Sequence, residues 1–188
     1  MIPTVTNPMG ISLYSRRLQY LASTGTQYID TGIKPQEGFA AEVRFLVPSD
    51  GLFSCGARAG GVKNIRITAN PNYTDYAFGP TFQRISESNL TEHTVKICAD
   101  GRFYRDGVLV YSGSGEYTTD YNFYLFALNQ PGDPVGMGKG KLFSAILTVN
   151  DTVVENLFPA LFRGVPCMYD TVSRTFKYNA GTGTFNYA

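Results

Sequence analysis

Residues 93–111 read His93-Thr-Val-Lys-Ile-Cys-Ala-Asp-Gly-Arg-Phe-Tyr-Arg-Asp-Gly-Val-Leu-Val-Tyr111, and two Asp-Gly pairs divide them into three runs of strand-forming residues. Asp and Gly tolerate the positive φ that tight hairpin turns require. In the first run, Val95 and Ile97 fall on one face of an extended chain. The stretch therefore predicts a three-stranded antiparallel meander, with strands at residues 93–98, 102–105 and 108–111.

The clearest strand outside the meander lies upstream, at residues 39–47. Its alternate positions are apolar and are expected to share one face: Phe39, Ala41, Val43, Phe45 and Val47. Glu42 and Arg44 fall on the opposite face. This alternation predicts a half-buried strand with one side toward solvent.

Two further segments lie downstream of the meander. Residues 142–149 and 152–155 flank Asn150-Asp151 and predict another hairpin. In its first strand, one face is expected to carry Phe143, Ala145, Leu147 and Val149. Residues 123–128 are nearly all apolar, which predicts a central strand that is covered on both faces.

The composition is typical of a β protein. The 188 residues are 43% hydrophobic, 14% aromatic and only 16% charged, with 20 Gly, 10 Pro and no Trp. These values exclude a disordered tail, a coiled coil and a helical bundle, and the length favours a single domain. We therefore predict an all-β fold over residues 15–188, an antiparallel sandwich or barrel. Residues 1–14 lack periodicity and predict an extended N-terminal arm, in which Pro3 and Pro8 are candidate contacts with a partner.

Charge and hydropathy exclude several function classes. Sixteen Lys and Arg against fifteen Asp and Glu give a formal net charge of +1, so no overall basic surface predicts a nucleic-acid partner or an anionic membrane. The N-terminus has no secretory signal pattern, and no apolar run approaches the ~18 residues of a membrane span. We therefore expect a protein made in the cytoplasm, without membrane insertion.

Several longer strings carry a family resemblance. They include Leu18-Gln-Tyr-Leu-Ala-Ser-Thr-Gly-Thr-Gln-Tyr-Ile-Asp-Thr-Gly-Ile33, Gly138-Lys-Gly-Lys-Leu-Phe-Ser144, Gly164-Val-Pro-Cys-Met-Tyr-Asp170 and Phe176-Lys-Tyr-Asn-Ala-Gly-Thr-Gly-Thr-Phe185. With these strings, the chain resembles the concanavalin A-like or laminin G-like jelly rolls, in the version common in phage structural proteins and in proteins of gut bacteria. The resemblance implies an antiparallel two-sheet jelly-roll sandwich in which the C-terminal segment returns to pair near the first strand. Six residues of these strings would then lie partly in the core: Tyr28, Ile29, Tyr169, Phe176, Tyr178 and Phe185.

The sequence gives little support to glycoside hydrolysis. Such enzymes need two carboxylates that flank the scissile bond, and the E-x-D-x-x-E string of glucanases with this fold does not occur. The six glutamates are isolated from one another: Glu37, Glu42, Glu87, Glu92, Glu116 and Glu155. We therefore predict no enzyme activity, with a hydrolase that uses carboxylates of separate strands as the less favoured alternative.

Other catalytic or cofactor sites are not predicted either. His93 is the single histidine and opens a strand, where a histidine bonded to the backbone is the common case. Cys55, Cys98 and Cys167 are widely spaced and predict buried thiols rather than a disulfide or a zinc site. Residues 136–141 do not fit a phosphate loop, and the acidic residues do not form a calcium loop. We expect no cofactor and no metal.

A glycan site on this fold would use loop aromatics whose rings stack on the C–H faces of sugars. The candidates are Tyr73 and Tyr76 in one loop and Tyr117 and Tyr121 in another. The alternative for these four tyrosines is packing on the sandwich or on a neighbouring subunit.

Two functions follow from these expectations. The resemblance implies a non-enzymatic structural protein of a virion, in particular a phage capsid decoration, fibre or tail component. Such a protein would contact other virion proteins and further copies of itself, and it would be found in the virion. The alternative is a glycan-binding module of a bacterial or phage surface protein that recognises host or mucosal glycans.

Overall fold

The structure is a computed structural model that describes residue 14 and residues 16–188. The described residues form nineteen strands: β1 Arg16–Arg17, β2 Leu21–Ala22, β3 Ile29–Asp30, β4 Phe39–Leu46, β5 Phe53–Ala59, β6 Lys63–Ala69, β7 Tyr73–Phe78, β8 Thr81–Ser86, β9 His93–Ile97, β10 Arg102–Arg105, β11 Val108–Ser112, β12 Tyr124–Leu125, β13 Leu128–Gln130, β14 Asp133–Val135, β15 Lys141–Val149, β16 Thr152–Phe162, β17 Val165–Asp170, β18 Phe176–Lys177 and β19 Asn186–Tyr187. In this part of the chain, no helix is long and apolar enough to span a membrane.

The strands form two sheets that pack face to face. The large sheet has the order β11-β10-β9-β4-β15-β16-β17-β18, with β1 beside β16, β2 beside β15 and β19 beside β2. The small sheet has the order β14-β13-β5-β6-β7-β8, with β12 beside β5 and β3 beside β12. All pairs are antiparallel except β13 with β5. The predicted all-β, antiparallel two-sheet sandwich is therefore confirmed.

Strand β4 lies at the centre of the large sheet and shows the predicted alternation. Its inward side chains are almost fully buried between the sheets: Phe39, Ala41, Val43, Phe45 and, just after the strand, Val47. The ring of Phe45 stacks on Phe53 of the small sheet at 4.6 Å between centroids. Glu42 and Arg44 face outward, so β4 contributes to the core on one side and to an accessible face on the other.

The predicted meander is also confirmed, as β9, β10 and β11. Its turns contain positive φ angles at Gly101, Asp106 and Gly107, as the two Asp-Gly pairs require. This meander lies next to β4 and forms one edge of the large sheet.

The hairpin of β15 and β16 is present, but the predicted face of Phe143 is wrong. The pairing of β15 with β4 shifts between Leu142 and Ser144, so Phe143 is an extra residue opposite β4. A bulge of this kind redirects side chains. Leu142 is fully buried in its place, and the ring of Phe143 contacts Tyr20 at 5.9 Å between centroids and lies under the guanidinium of Arg44.

The apolar run at residues 123–128 forms two short strands instead of one central strand. Phe126 has a φ of 68°, which interrupts the extended chain between β12 and β13. Both short strands pair with β5, β12 antiparallel and β13 parallel. The run is buried as predicted, but the reversal at Phe126 was not visible in its apolar composition.

The C-terminal segment closes the sandwich as predicted, because β19 pairs with β2 and Asn179 forms a bridge with Ile29. Of the six residues expected in the core, Ile29, Tyr169 and Phe185 are buried. Tyr28 and Phe176 are half-buried, whereas Tyr178 is 44% exposed.

Most of the expected arm, including Pro3 and Pro8, lies outside the described residues. Its last residue, Tyr14, is buried and packs at 5.5 Å between ring centroids against Phe158 and Tyr169. The chain is therefore held against the large sheet from Tyr14.

A buried ion pair joins β16 to the C-terminal segment. The Glu155 carboxylate is 2.7 Å from Lys177 Nζ, and Lys177 also donates to the carbonyl of Thr31. The second oxygen of Glu155 has no hydrogen-bond partner among the described residues. Burial therefore raises the pKa of Glu155, the Lys177 ammonium lowers it by less, and the carboxylates of Asp170 and Asp30 raise it further.

This raised pKa predicts a pH dependence of stability. A carboxyl group with a higher pKa in the folded state stabilises the fold below its unfolded pKa, and this contribution is lost as the pH rises through the folded pKa. The free energy of unfolding of the wild type, minus that of Glu155→Gln, should therefore fall as the pH rises above the ordinary glutamate pKa of about 4.3. Urea unfolding at increasing pH, with the exposed Glu37→Gln as control, measures it. A difference that rises with pH would show that the ion pair outweighs burial.

Candidate functional site

The outer face of the large sheet carries a continuous row of side chains. Strand register places Tyr104 beside Lys96, Lys96 beside Glu42, and Glu42 beside Ile146. The row crosses four strands, which at the usual strand spacing is about 14 Å. We call this row and the two hollows along it the outer groove.

The first hollow of the outer groove has a volume of about 490 Å³, with Gly38, Ala40, Glu42 and Ile146 among its lining residues. The second hollow, about 370 Å³, lies over the meander and is lined in part by Tyr104. Both hollows share Glu42, so they form one surface.

Two charged groups in the middle of the outer groove have no internal ionic partner. Neither the Glu42 carboxylate nor the Lys96 ammonium takes part in any ion pair among the described residues. Arg102, in contrast, bonds Asp100 at 2.6 Å, and this hydrogen bond lowers the pKa of Asp100. Glu42 and Lys96 are therefore open to hydrogen bonds with a ligand.

Cys98 also lines the outer groove and is only partly exposed. Burial raises the pKa of its thiol, although the Lys96 ammonium acts in the opposite direction. The thiol is therefore mainly protonated at neutral pH and is a poor nucleophile. Cys55 and Cys167 are buried as predicted, and burial raises the pKa of Cys55 to about 12 and that of Cys167 to about 11.

A third hollow on the large sheet is lined by Arg44, which is two residues along β4 from Glu42. Its volume is about 580 Å³, and its lining consists of Arg17, Leu18, Gln19, Arg44, Glu92 and Phe143. We call it the arginine hollow. Arg44 bonds Glu92, and its guanidinium lies 5.4 Å from the centre of the Phe143 ring. The bulge in β15 thus places an aromatic ring beside this hollow.

The structure places two of the four sequence-predicted tyrosines in the core. Tyr76 is fully buried, and its hydroxyl donates to Glu87 at 2.7 Å. Tyr117 is 7% exposed, packs on Phe78 and donates to the carbonyl of Gln36. Their rings cannot stack on a glycan, so for these two the packing alternative is correct.

The other two tyrosines are half-buried and lie apart from the outer groove. Tyr73 is on β7 of the small sheet, with the Arg84 guanidinium 3.8 Å from its ring centre. Tyr121 lines a rim hollow of about 280 Å³ with Lys63 and Asp120. Two aromatic residues that do line the hollows of the large sheet, Tyr104 and Phe143, were not among the predicted contacts. Tyr104 was detectable as the polar-face residue of a predicted strand, whereas the orientation of Phe143 was not.

His93 makes side-chain contacts rather than the expected backbone bond. Its Nδ1 lies 2.6 Å from Asp106 and its Nε2 lies 2.9 Å from the Thr91 hydroxyl. This chain of bonds resembles a catalytic triad in order, but neither Thr91 nor His93 lines any of the four hollows. Because Asp106 also accepts from the backbone of Thr94, the arrangement links the start of β9 to the turn between β10 and β11.

The glutamates do not form the pair that glycoside hydrolysis requires. Four of them are held by other side chains: Glu87 by Arg105, Glu92 by Arg44, Glu116 by Lys63 and Glu155 by Lys177. Glu42 lies in the outer groove, but on both neighbouring strands its register partners are not acidic. Within residues 14 and 16–188, no three His, Cys, Asp or Glu side chains cluster as metal ligands.

Comparison with known protein structures identifies the fold of this chain. No protein-family model and no curated protein sequence matches the chain. A candidate carbohydrate-binding protein from Bacteroides ovatus matches in structure, with a TM-score of 0.56 and 14% sequence identity over 92% of this chain. The fold is a jelly-roll sandwich. At this identity the likeness extends to the fold alone, and this chain spans 60% of the Bacteroides ovatus structure.

The Crh5 transglycosylase also aligns with this jelly roll. Its apo structure has a TM-score of 0.48 and 14% identity, covering 74% of this chain and 75% of that one. Its complex with NAG has a TM-score of 0.48 and 13% identity, covering 84% of this chain and 80% of that one.

Proposed function

We propose that this jelly roll binds a glycan along the outer groove. The observation that carries the proposal is the pair of charged groups on Glu42 and Lys96, which lie side by side and belong to no ion pair among the described residues. The half-buried ring of Tyr104 lies in the same groove, and that of Phe143 lies in the arginine hollow. Sugars present both hydroxyl groups and apolar C–H faces, so a site for them combines polar groups with aromatic rings. The groove provides both kinds of contact over several strand widths.

The proposed contacts divide between the two surfaces of a sugar. The Glu42 carboxylate accepts hydrogen bonds from sugar hydroxyls, and the Lys96 ammonium donates to them. The ring of Tyr104 packs against a C–H face in the outer groove, and the ring of Phe143 packs against one in the arginine hollow. The fold of the Bacteroides ovatus carbohydrate-binding candidate supports this proposal, because that fold can present such a surface.

Removal of either ring is expected to weaken glycan binding. Tyr104→Ala and Phe143→Ala should each reduce affinity about tenfold or more, since each removes an apolar contact that the sugar covers. A glycan array, followed by titration calorimetry with the best ligand, measures the effect. Tyr73→Ala on the small sheet is the matched control and should retain wild-type affinity.

Two results would contradict the location of the site. The first is an unchanged affinity in both Tyr104→Ala and Phe143→Ala. The second is a loss of affinity in Tyr121→Ala alone, which would place the site at the rim hollow. The absence of binding to every glycan on the array would overturn the proposed function itself.

Asp100 and Asp151 line the first hollow together with Glu42, but Asp100 is bonded to Arg102, and we propose binding rather than cleavage. Reducing-sugar release that is abolished in Glu42→Gln would identify a hydrolase instead. The virion role, the virion location and the contacts with other virion proteins stay predictions from the resemblance, and immunogold labelling of particles tests them. A displayed glycan-binding module is compatible with that role.

A further inference from the structure

Arg17 in the arginine hollow is held in place but has no anionic partner among the described residues. Its backbone pairs with Ala160 of β16, and its guanidinium stacks on Phe158, 4.3 Å from the ring centre. None of the ion pairs in the described part of the chain includes Arg17. A guanidinium whose plane rests on a ring keeps its N–H edge available and loses little conformational freedom when it binds.

The surroundings of Arg17 carry an excess of positive charge. The single carboxylate lining the hollow, Glu92, is already bonded to Arg44. A further cation lies nearby, because Lys141 Nζ is 4.3 Å from the centre of the Tyr20 ring, and that ring contacts Phe143. The nearly neutral whole chain therefore contains a local cationic and aromatic surface.

An oxyanion is the group that this surface would hold. The N–H groups of a guanidinium match the oxygens of a carboxylate or a sulfate in a two-point hydrogen bond. The Phe143 ring beside Arg44 offers an apolar surface next to that charge. A sugar ring that bears an acidic group satisfies both requirements together.

We infer that the glycan is acidic, with its carboxylate or sulfate bound by Arg17 and its ring against Phe143, an inference that rests on the proposed function. The acidic unit lies in the arginine hollow, and the chain continues past Arg44 into the outer groove. Neutral glycans lack the bond to Arg17 and bind more weakly.

The test compares three polysaccharides by titration calorimetry: polygalacturonate for carboxylates, heparin for sulfates and laminarin as a neutral glucan. Arg17→Gln is expected to weaken binding of the preferred acidic polymer about tenfold or more, because a charge-assisted bond is lost. Arg17→Lys should lose part of the affinity, since it keeps the charge without the planar fork. Arg58→Gln removes one positive charge from the small sheet and should have little effect.

The outcomes separate the ligand class from the proposed function. Tighter binding of polygalacturonate or heparin than of laminarin, reduced in Arg17→Gln, supports the inference and identifies which oxyanion is preferred. Equal binding of laminarin, or an unchanged affinity in an Arg17→Gln variant with wild-type thermal unfolding, would overturn it while the proposed function stands. Binding of single-stranded DNA as tight as that of the acidic polymer would also overturn it. No binding of any polysaccharide contradicts the proposed function.

Discussion

Gly56→Ala is expected to lower the free energy of unfolding by about 3–5 kcal/mol. Gly56 lies in the middle of β5 with a φ of 146°, a conformation that L side chains rarely adopt. A Cβ at this position would lie 2.3 Å from the carbonyl oxygen of Ile65 and 2.7 Å from Cβ of Arg66. Because the first of these atoms is backbone, β5 and β6 must move apart to accept it.

The position of Gly56 in the small sheet increases this cost. Its register partners include Tyr124 of β12 and Leu128 of β13 as well as Arg66 of β6. A shift of β5 therefore disturbs three pairings at once. For a protein of this size, the expected loss corresponds to a decrease in Tm of roughly 6–20 °C.

Gly61→Ala is the matched control for this substitution. Gly61 lies in the turn between β5 and β6, is not among the positive-φ glycines, and a Cβ added there would meet no atom within 4 Å. The substitution should be neutral or stabilising by about 0.4–1 kcal/mol, because alanine restricts the unfolded chain. Thermal and urea unfolding of both variants measure the difference, and equal stabilities would contradict the packing constraint at Gly56.

Asn89→Ala is expected to cost about 2–4 kcal/mol of unfolding free energy. Asn89 is fully buried in the connection between β8 of the small sheet and β9 of the large sheet. Its amide nitrogen donates to the Asn70 carbonyl at 2.7 Å and to the Thr74 hydroxyl at 3.0 Å. Its amide oxygen accepts from Arg105 at 2.6 Å, so the side chain fastens the connection to both sheets.

The loss in Asn89→Ala arises mainly from partners that stay buried. Arg105 is 8% exposed and would lose one acceptor of its guanidinium, while Glu87 remains bonded to it. Unsatisfied buried groups cost more than the net value of the bond itself. Asn72→Ala, at an exposed position of the same region, is the control and should change stability by less than about 0.5 kcal/mol. A loss in Asn89→Ala as small as in this control would show that water replaces the amide.

Much of this architecture was predictable because it depends on local patterns. The alternation at residues 39–47 identified which side chains of β4 enter the core, and the Asp-Gly pairs identified the turns of the meander. The same alternation put Glu42 and Arg44 on the accessible face, although it did not indicate what lies beside them. Lys96 and Ile146 became neighbours of Glu42 only through the pairing of β4 with β9 and β15.

The candidate site depended more strongly on tertiary structure. Tyr76 and Tyr117 looked like loop residues, but the packing of the sheets buried their rings, and burial cannot be read from a tyrosine in a polar segment. Phe143 was expected inside because its neighbours alternate regularly. The bulge in β15 turns Phe143 outward instead. This bulge depends on how β15 pairs with β4, so the alternation within β15 does not predict it.

By itself, the sequence determined that this chain is an all-β sandwich, which strands present a polar face and where the turns fall, because periodicity and turn chemistry act between residues close in the chain. Only the tertiary structure decided that Tyr104, Lys96 and Glu42 form one row on the outer face of the large sheet. It also decided that Phe143 and Arg17 line one hollow, and that Arg17 takes part in no ion pair among the described residues. The physical reason is that strand register, bulges and sheet packing set the distances between residues that are far apart in the chain.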